Sequence, residues 1–103
     1  MSLRLRCHMT VAKVKEGKYL IMGGIDSFNE KCSRAAYLYY AGTNKAIEVE
    51  KMGQKKYEIA SCVHKDIVYV FGGRSRFNGE VLNVCEKFDL VQEKWIKLGN
   101  LSR

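Results

Sequence analysis

Four cysteines and two histidines are the residues of this 103-residue chain with the widest chemical repertoire. Cys7, Cys32, Cys62 and Cys85 stand 25, 30 and 23 residues apart, with His8 and His64 close to the first and third of them. Structural zinc sites present their thiolates in pairs about two to four residues apart. The wide spacing here reads as packed free thiols, held reduced in a cytosolic protein. Cys62 and His64, two apart in a strand-like stretch, would share a face and form the one ligand-like pairing. No metal and no other cofactor is expected. Catalysis needs a nucleophile beside a base, paired carboxylates or an open metal site; the acidic residues are scattered and show no such spacing. The expectation is a binding protein, not an enzyme.

Charge is the second chemical feature. Eighteen Lys and Arg against eleven Asp and Glu give a net charge of +7. The cations are spread along the chain without a dense run, the pattern of a solvated surface. A basic loop face binding nucleic acid or another polyanion is the alternative reading, and affinity falling steeply with salt would identify it. No apolar run is long enough to span a bilayer. The basic start, Met1 to Arg6, is not followed by the apolar stretch of a secretory signal, so the expected setting is the cytoplasm.

The elements that must position these groups emerge when the sequence is slid against itself. Gly23-Gly24 recurs as Gly72-Gly73 at a shift of 49 residues. At that shift Val14 meets Val63, Phe28 meets Phe77, Asn29 meets Asn78, Lys45 meets Lys94 and Ile47 meets Ile96, with similar pairs between and no insertion. The chain therefore divides into a first repeat over 4–52 and a second over 53–103, together one two-unit segment.

Each unit reads as four short strands rich in β-branched and aromatic residues, with no helical periodicity. The first strands fall at His8 to Val14 and Tyr57 to Val63, the second at Lys18 to Met22 and Ile67 to Phe71. The third lie at Arg34 to Tyr40 and Asn83 to Phe88, and the fourth at Lys45 to Val49 and Lys94 to Leu98. Turn residues separate them: Glu16-Gly17, Lys65-Asp66, Gly42-Thr43-Asn44 and Asn78-Gly79. The second strands are apolar at every position, which predicts cover on both faces. The first strands carry small groups, as in Thr10-Val11-Ala12, which suits crowding near an axis. Four-stranded antiparallel sheets stacked face to face satisfy both. In that up-and-down path the connection after the second strand and the connection between units open on one face. That face collects Arg74, Arg76 and Asn78 from one loop, Lys51, Lys55 and Lys56 from the inter-unit connection, and Asp26, Ser27, Asn29, Glu30, Lys31 and Arg34 from the matching first-unit loop.

The run Tyr69-Val70-Phe71-Gly72-Gly73, then Phe88-Asp89, then Trp95 resembles the kelch repeat, whose pattern is a double glycine after an apolar strand, an aromatic followed by Asp, and a Trp. The first unit is a degenerate copy, with Tyr39-Tyr40 for aromatic-Asp and Ala46 at the Trp position. The resemblance implies an all-β fold of two blades of a kelch-type β-propeller, either part of a longer propeller or part of an oligomeric ring. It implies a protein-interaction module that binds a partner, often an acidic segment, on this face through Arg74 and Lys56; Arg76, Asn78, Lys55 and Asn29, placed on the same face by the path of the strands, are expected to join them. It also implies, by analogy with whole proteins of the family, a substrate-adaptor role in a ubiquitin ligase. Trp95 is expected to fill space between blades. Because two blades leave apolar faces uncovered, self-association to complete the propeller is expected.

Overall fold

The computed structural model describes residues 6–7, 9–26, 32–53, 55–74 and 84–100. Within them the chain runs entirely as strands and turns: β1 (Arg6–Cys7), β2 (Thr10–Lys15), β3 (Lys18–Met22), β4 (Ile25–Asp26), β5 (Ala36–Tyr40), β6 (Lys45–Val49), β7 (Ala60–His64), β8 (Ile67–Phe71), β9 (Val84–Asp89) and β10 (Lys94–Asn100). Strands β2-β3-β5-β6 form one four-stranded antiparallel sheet, β7-β8-β9-β10 form a second, and β1 with β4 makes a two-stranded ribbon. The two large sheets are the two repeats, here called blades 1 and 2.

Backbone conformation explains where the hairpins turn. Asn44 and Glu93, equivalent positions in the two units, both take positive φ, 54° and 56°. The β9–β10 turn is capped by Asp89, whose Oδ1 accepts from the amides of Val91 (2.9 Å) and Gln92 (3.1 Å), as short acidic side chains do in turns. Tyr40 replaces that Asp in blade 1. There Asn44 serves the turn instead, its Oδ1 accepting from the Tyr39 hydroxyl at 2.6 Å.

The second and fourth strands begin where the sequence places them, while the first and third are shorter at their N-terminal ends. Glu58 takes a φ of 54°, so the chain reverses before β7. Tyr57 consequently pairs with Arg74, each amide donating to the other's carbonyl at 3.0 Å. Ahead of β5, Ser33 and Arg34 give their carbonyls to the inter-blade connection, accepting from Lys56 N–H (3.1 Å) and Met52 N–H (2.8 Å). A backbone group used that way is lost to the ladder. Asn83 lies outside the described residues. In β10 a register shift between Lys97 and Gly99 lengthens the strand, with Gly99 at φ 116°.

The core lies between the blades. Ala12, Leu20, Met22, Ala36 and Leu38 from blade 1 form one buried cluster with Ile59, Val68, Val70 and Phe88 from blade 2 and Met52 from the connection. Strand register puts each set on a single side of its sheet. At the inner strands Thr10 joins the blades. Its hydroxyl donates to the Ile59 carbonyl and accepts from the Ile59 amide, both at 3.0 Å.

The expectation of second strands covered on both faces holds for β3 and fails for β8. In β3, Leu20, Ile21 and Met22 are all buried, whereas in β8 burial alternates: Val68 and Val70 are buried, and Ile67, Tyr69 and Phe71 are half-buried. The apolar far side of β8 has no blade against it among the described residues.

Candidate functional site

The ends of β3, β6 and β8 and the starts of β5, β7 and β9 come to one face, because each blade runs up and down. The connection between the blades, described over residues 50–53 and 55–59, crosses this face from blade 1 to blade 2. Its backbone is anchored on blade 1 at Ser33 and Arg34, as above, and Gly24 N–H donates to the Lys56 carbonyl at 3.0 Å. Gly23 must be glycine here: its φ is 70°, and a Cβ would stand 2.4 Å from that same Lys56 oxygen.

From that anchored backbone the Lys56 side chain reaches across to blade 2. Its Nζ lies 3.0 Å from Glu86 Oε2, and both residues are buried. The second carboxylate oxygen of Glu86 accepts from Gly53 N–H at 3.0 Å. A buried ion pair persists only when its lone pairs and protons are satisfied in this way. The placement of Lys56 among partner-contacting residues is therefore corrected: its ammonium is committed inside the blade junction and is not offered to solvent. Sequence carries a signal for this. Glu86 sits two residues before buried Phe88, at an inward position of β9 where alternation calls for an apolar group.

The other residues assigned to the face divide as follows. Lys55 is exposed. Arg74 is half-exposed and its Nε stands 3.3 Å from Glu58 Oε1, so this cation is already engaged with the inter-blade connection. Arg76, Asn78 and Asn29 lie outside the described residues, as do Phe28 and Phe77. Cys62 and His64 share the far side of β7 and are exposed, and among the described residues no three groups of metal-binding type converge.

Between the connection and β9–β10 the face opens into a cleft of about 610 Å³, lined by Arg34, Glu50–Gly53, Glu86, Trp95 and Lys97. Trp95 forms a wall. Its ring packs on Phe88 with centroids 4.9 Å apart, tilted by 50°. Its indole N–H donates to the Glu50 carbonyl at 2.7 Å, and its backbone N–H donates to Glu50 Oε1 at 2.6 Å. Trp95 thus lies between the blades and ties β10 to the exit of β6.

Both carboxylates of the lining are occupied, Glu50 by Trp95 and Glu86 by Lys56 and Gly53. Of the cations, Lys51 pairs with Glu48 at 2.8 Å. Arg34 makes one long contact, Nη1 to the Met52 carbonyl at 3.4 Å, and Arg34 and Lys97 are both exposed. The cleft therefore offers an acceptor-bearing ligand an indole wall and two cations free of carboxylate partners among the described residues. Strand reading places Lys97 and Trp95 within a blade, and only the packing of two blades brings them beside Arg34.

Residues 56–102 match the family model described as the kelch motif, which takes in all of blade 2. No curated protein matches the chain.

Proposed function

Because residues 56–102 match the kelch motif, we propose that the chain is a protein-interaction module that binds an acidic segment of a partner on the face crossed by the inter-blade connection. The observation that carries this reading is the cleft between the blades, where Arg34 and Lys97 flank Trp95 while the neighbouring carboxylates are held by internal donors. Guanidinium and ammonium groups beside a half-buried aromatic suit a carboxylate side chain followed by an apolar one. Exposed Lys55, and the loop residues Arg76, Asn78 and Asn29, extend the same face in this proposal. The role is binding and not catalysis.

The test is a titration of acidic peptides monitored by Trp95 fluorescence, which is the chain's single tryptophan. The double reversal Arg34→Glu with Lys97→Glu is expected to weaken binding by at least about a hundredfold, the loss of two charge-assisted contacts. Unchanged affinity in the double variant would remove the cleft from the interface. Tight binding to single- or double-stranded DNA of any sequence, lost between low and moderate salt, would favour the polyanion reading that the +7 charge allows.

A substrate-adaptor role in a ubiquitin ligase is part of the proposal and is supported by the family alone. Co-purification of the cellular protein with a ligase scaffold would test it. A cytoplasmic setting is likewise proposed, supported by the thiols of Cys62 and Cys85, which form no disulfide.

A further inference from the structure

At the opposite end of the strands from that face, four residues of blade 1 stand side by side across β2, β3, β5 and β6. Strand register pairs Lys15 with Lys18, Lys18 with Tyr40 and Tyr40 with Lys45. Lys18 lies two residues before buried Leu20 and Tyr40 two after buried Leu38, so the row is on the side of the sheet that faces blade 2. Its exposure is that of a side whose neighbour is already in place. Lys15 and Lys45 are exposed there, and Lys18 and Tyr40 are half-buried. Tyr40 packs on the shared core, and Lys18 Nζ lies over its ring, 5.4 Å from the centroid. That cation–π contact holds the middle ammonium in place.

Among the described residues no carboxylate forms a salt bridge with Lys15, Lys18 or Lys45. Glu16, in the turn between Lys15 and Lys18, is paired with Lys13 at 3.1 Å. Blade 2 gives the comparison. Its equivalent row, in the same register, is His64, Ile67, Asp89 and Lys94, where one lysine is matched by one carboxylate that caps its turn. Blade 1 has Lys18 in place of the isoleucine and Tyr40 in place of the aspartate. Like charges directly opposite each other in a sheet are unfavourable, and an anion shared by Lys15 and Lys18 would turn that repulsion into attraction.

We propose that this row binds a small ligand bearing phosphate monoesters, one held between Lys15 and Lys18 and a second by Lys45. The chemistry follows from charge and spacing. Adjacent strands lie about 4.8 Å apart, so the Lys15 and Lys18 ammoniums reach one group. A phosphate monoester carries about −1.5 to −2 and three acceptor oxygens, enough for both. A carboxylate or a nucleic-acid phosphodiester carries a single charge and leaves one ammonium uncompensated. Lys45 stands two strands beyond Lys18, about 10 Å away, across the Tyr40 ring. The cleft lies at the other end of the strands, so this site is independent of the partner reading.

Calorimetric titration of the 103-residue chain tests it. The probes are free inositol trisphosphate and phosphatidylcholine vesicles carrying phosphatidylinositol bisphosphate. Binding is expected to weaken at least about tenfold in Lys18→Gln and about a hundredfold in Lys15→Gln with Lys18→Gln. Lys94→Gln, at the blade 2 counterpart of Lys45, and Arg34→Gln with Lys97→Gln are expected to stay within about threefold of the wild type. Binding to both probes assigns the ligand to a lipid headgroup, and binding to the free probe alone assigns it to a soluble phosphate; either supports the site. No binding of either probe, or equal affinity in the Lys15→Gln, Lys18→Gln variant, would overturn the inference. So would tighter binding, lost in that variant, of a glutamate-rich peptide or a single-stranded oligonucleotide of similar charge. The double variant removes like-charged neighbours and is expected to melt no lower than the wild type, which separates lost binding from a lost fold.

Discussion

At the scale of single residues, Lys56 and Glu86 hold the blades together, and they do so at a cost. Taking two charges out of water is unfavourable, and only their mutual attraction with the Gly53 amide offsets it. Removing one partner leaves the other buried and uncompensated. Lys56→Met or Glu86→Leu alone is expected to destabilise the chain by about 3–5 kcal/mol, and the double change to be close to neutral. Urea unfolding of the three variants checks this, and additive losses in the double variant would contradict it. Sequence carries a signal for only half of this pair. Glu86 breaks the alternation of β9, but Lys56, in a basic connection, looks like any solvated lysine. Its burial depends on Ser33 and Gly24 fixing its backbone over the junction, and those contacts arise only when the chain has folded back on itself.

Among the elements, the double glycine and the connection behave as one unit. The strands themselves were legible: β-branched and aromatic content and turn residues located β3, β6 and β8 with the limits observed. The starts of β5 and β7 were not, because a carbonyl of Ser33 or a turn at Glu58 spends its hydrogen bonds elsewhere without changing local propensity. Gly23 and Gly17 separate two effects that composition cannot. Both have positive φ, yet nothing lies within 4 Å of a Cβ at Gly17, whereas one at Gly23 would meet the Lys56 carbonyl. Gly17→Ala is expected to cost about 1 kcal/mol for its backbone conformation alone. Gly23→Ala adds a clash with immobile backbone and is expected to cost at least about 3 kcal/mol. Thermal melts of the two variants measure the difference, and equal losses would mean that the connection yields to the added methyl.

For the whole molecule, two stacked blades bury one shared core. The far side of β8 is half-buried among the described residues, whereas Ile21 and Tyr37 on the far side of blade 1 are buried. The same stacking creates the cleft, since Arg34 belongs to blade 1 and Trp95 and Lys97 to blade 2.

The sequence by itself determined the repeat, the all-β class, the four-strand unit and the face where connections gather. All of these follow from local strand composition, turn chemistry and a duplicated register. Only the tertiary structure decided which cations reach solvent, which carboxylates are already engaged, and which side of β8 lies open. Those properties depend on pairs of residues far apart in the chain, such as Lys56 with Glu86 and Glu50 with Trp95, and no local pattern encodes a contact between two sheets.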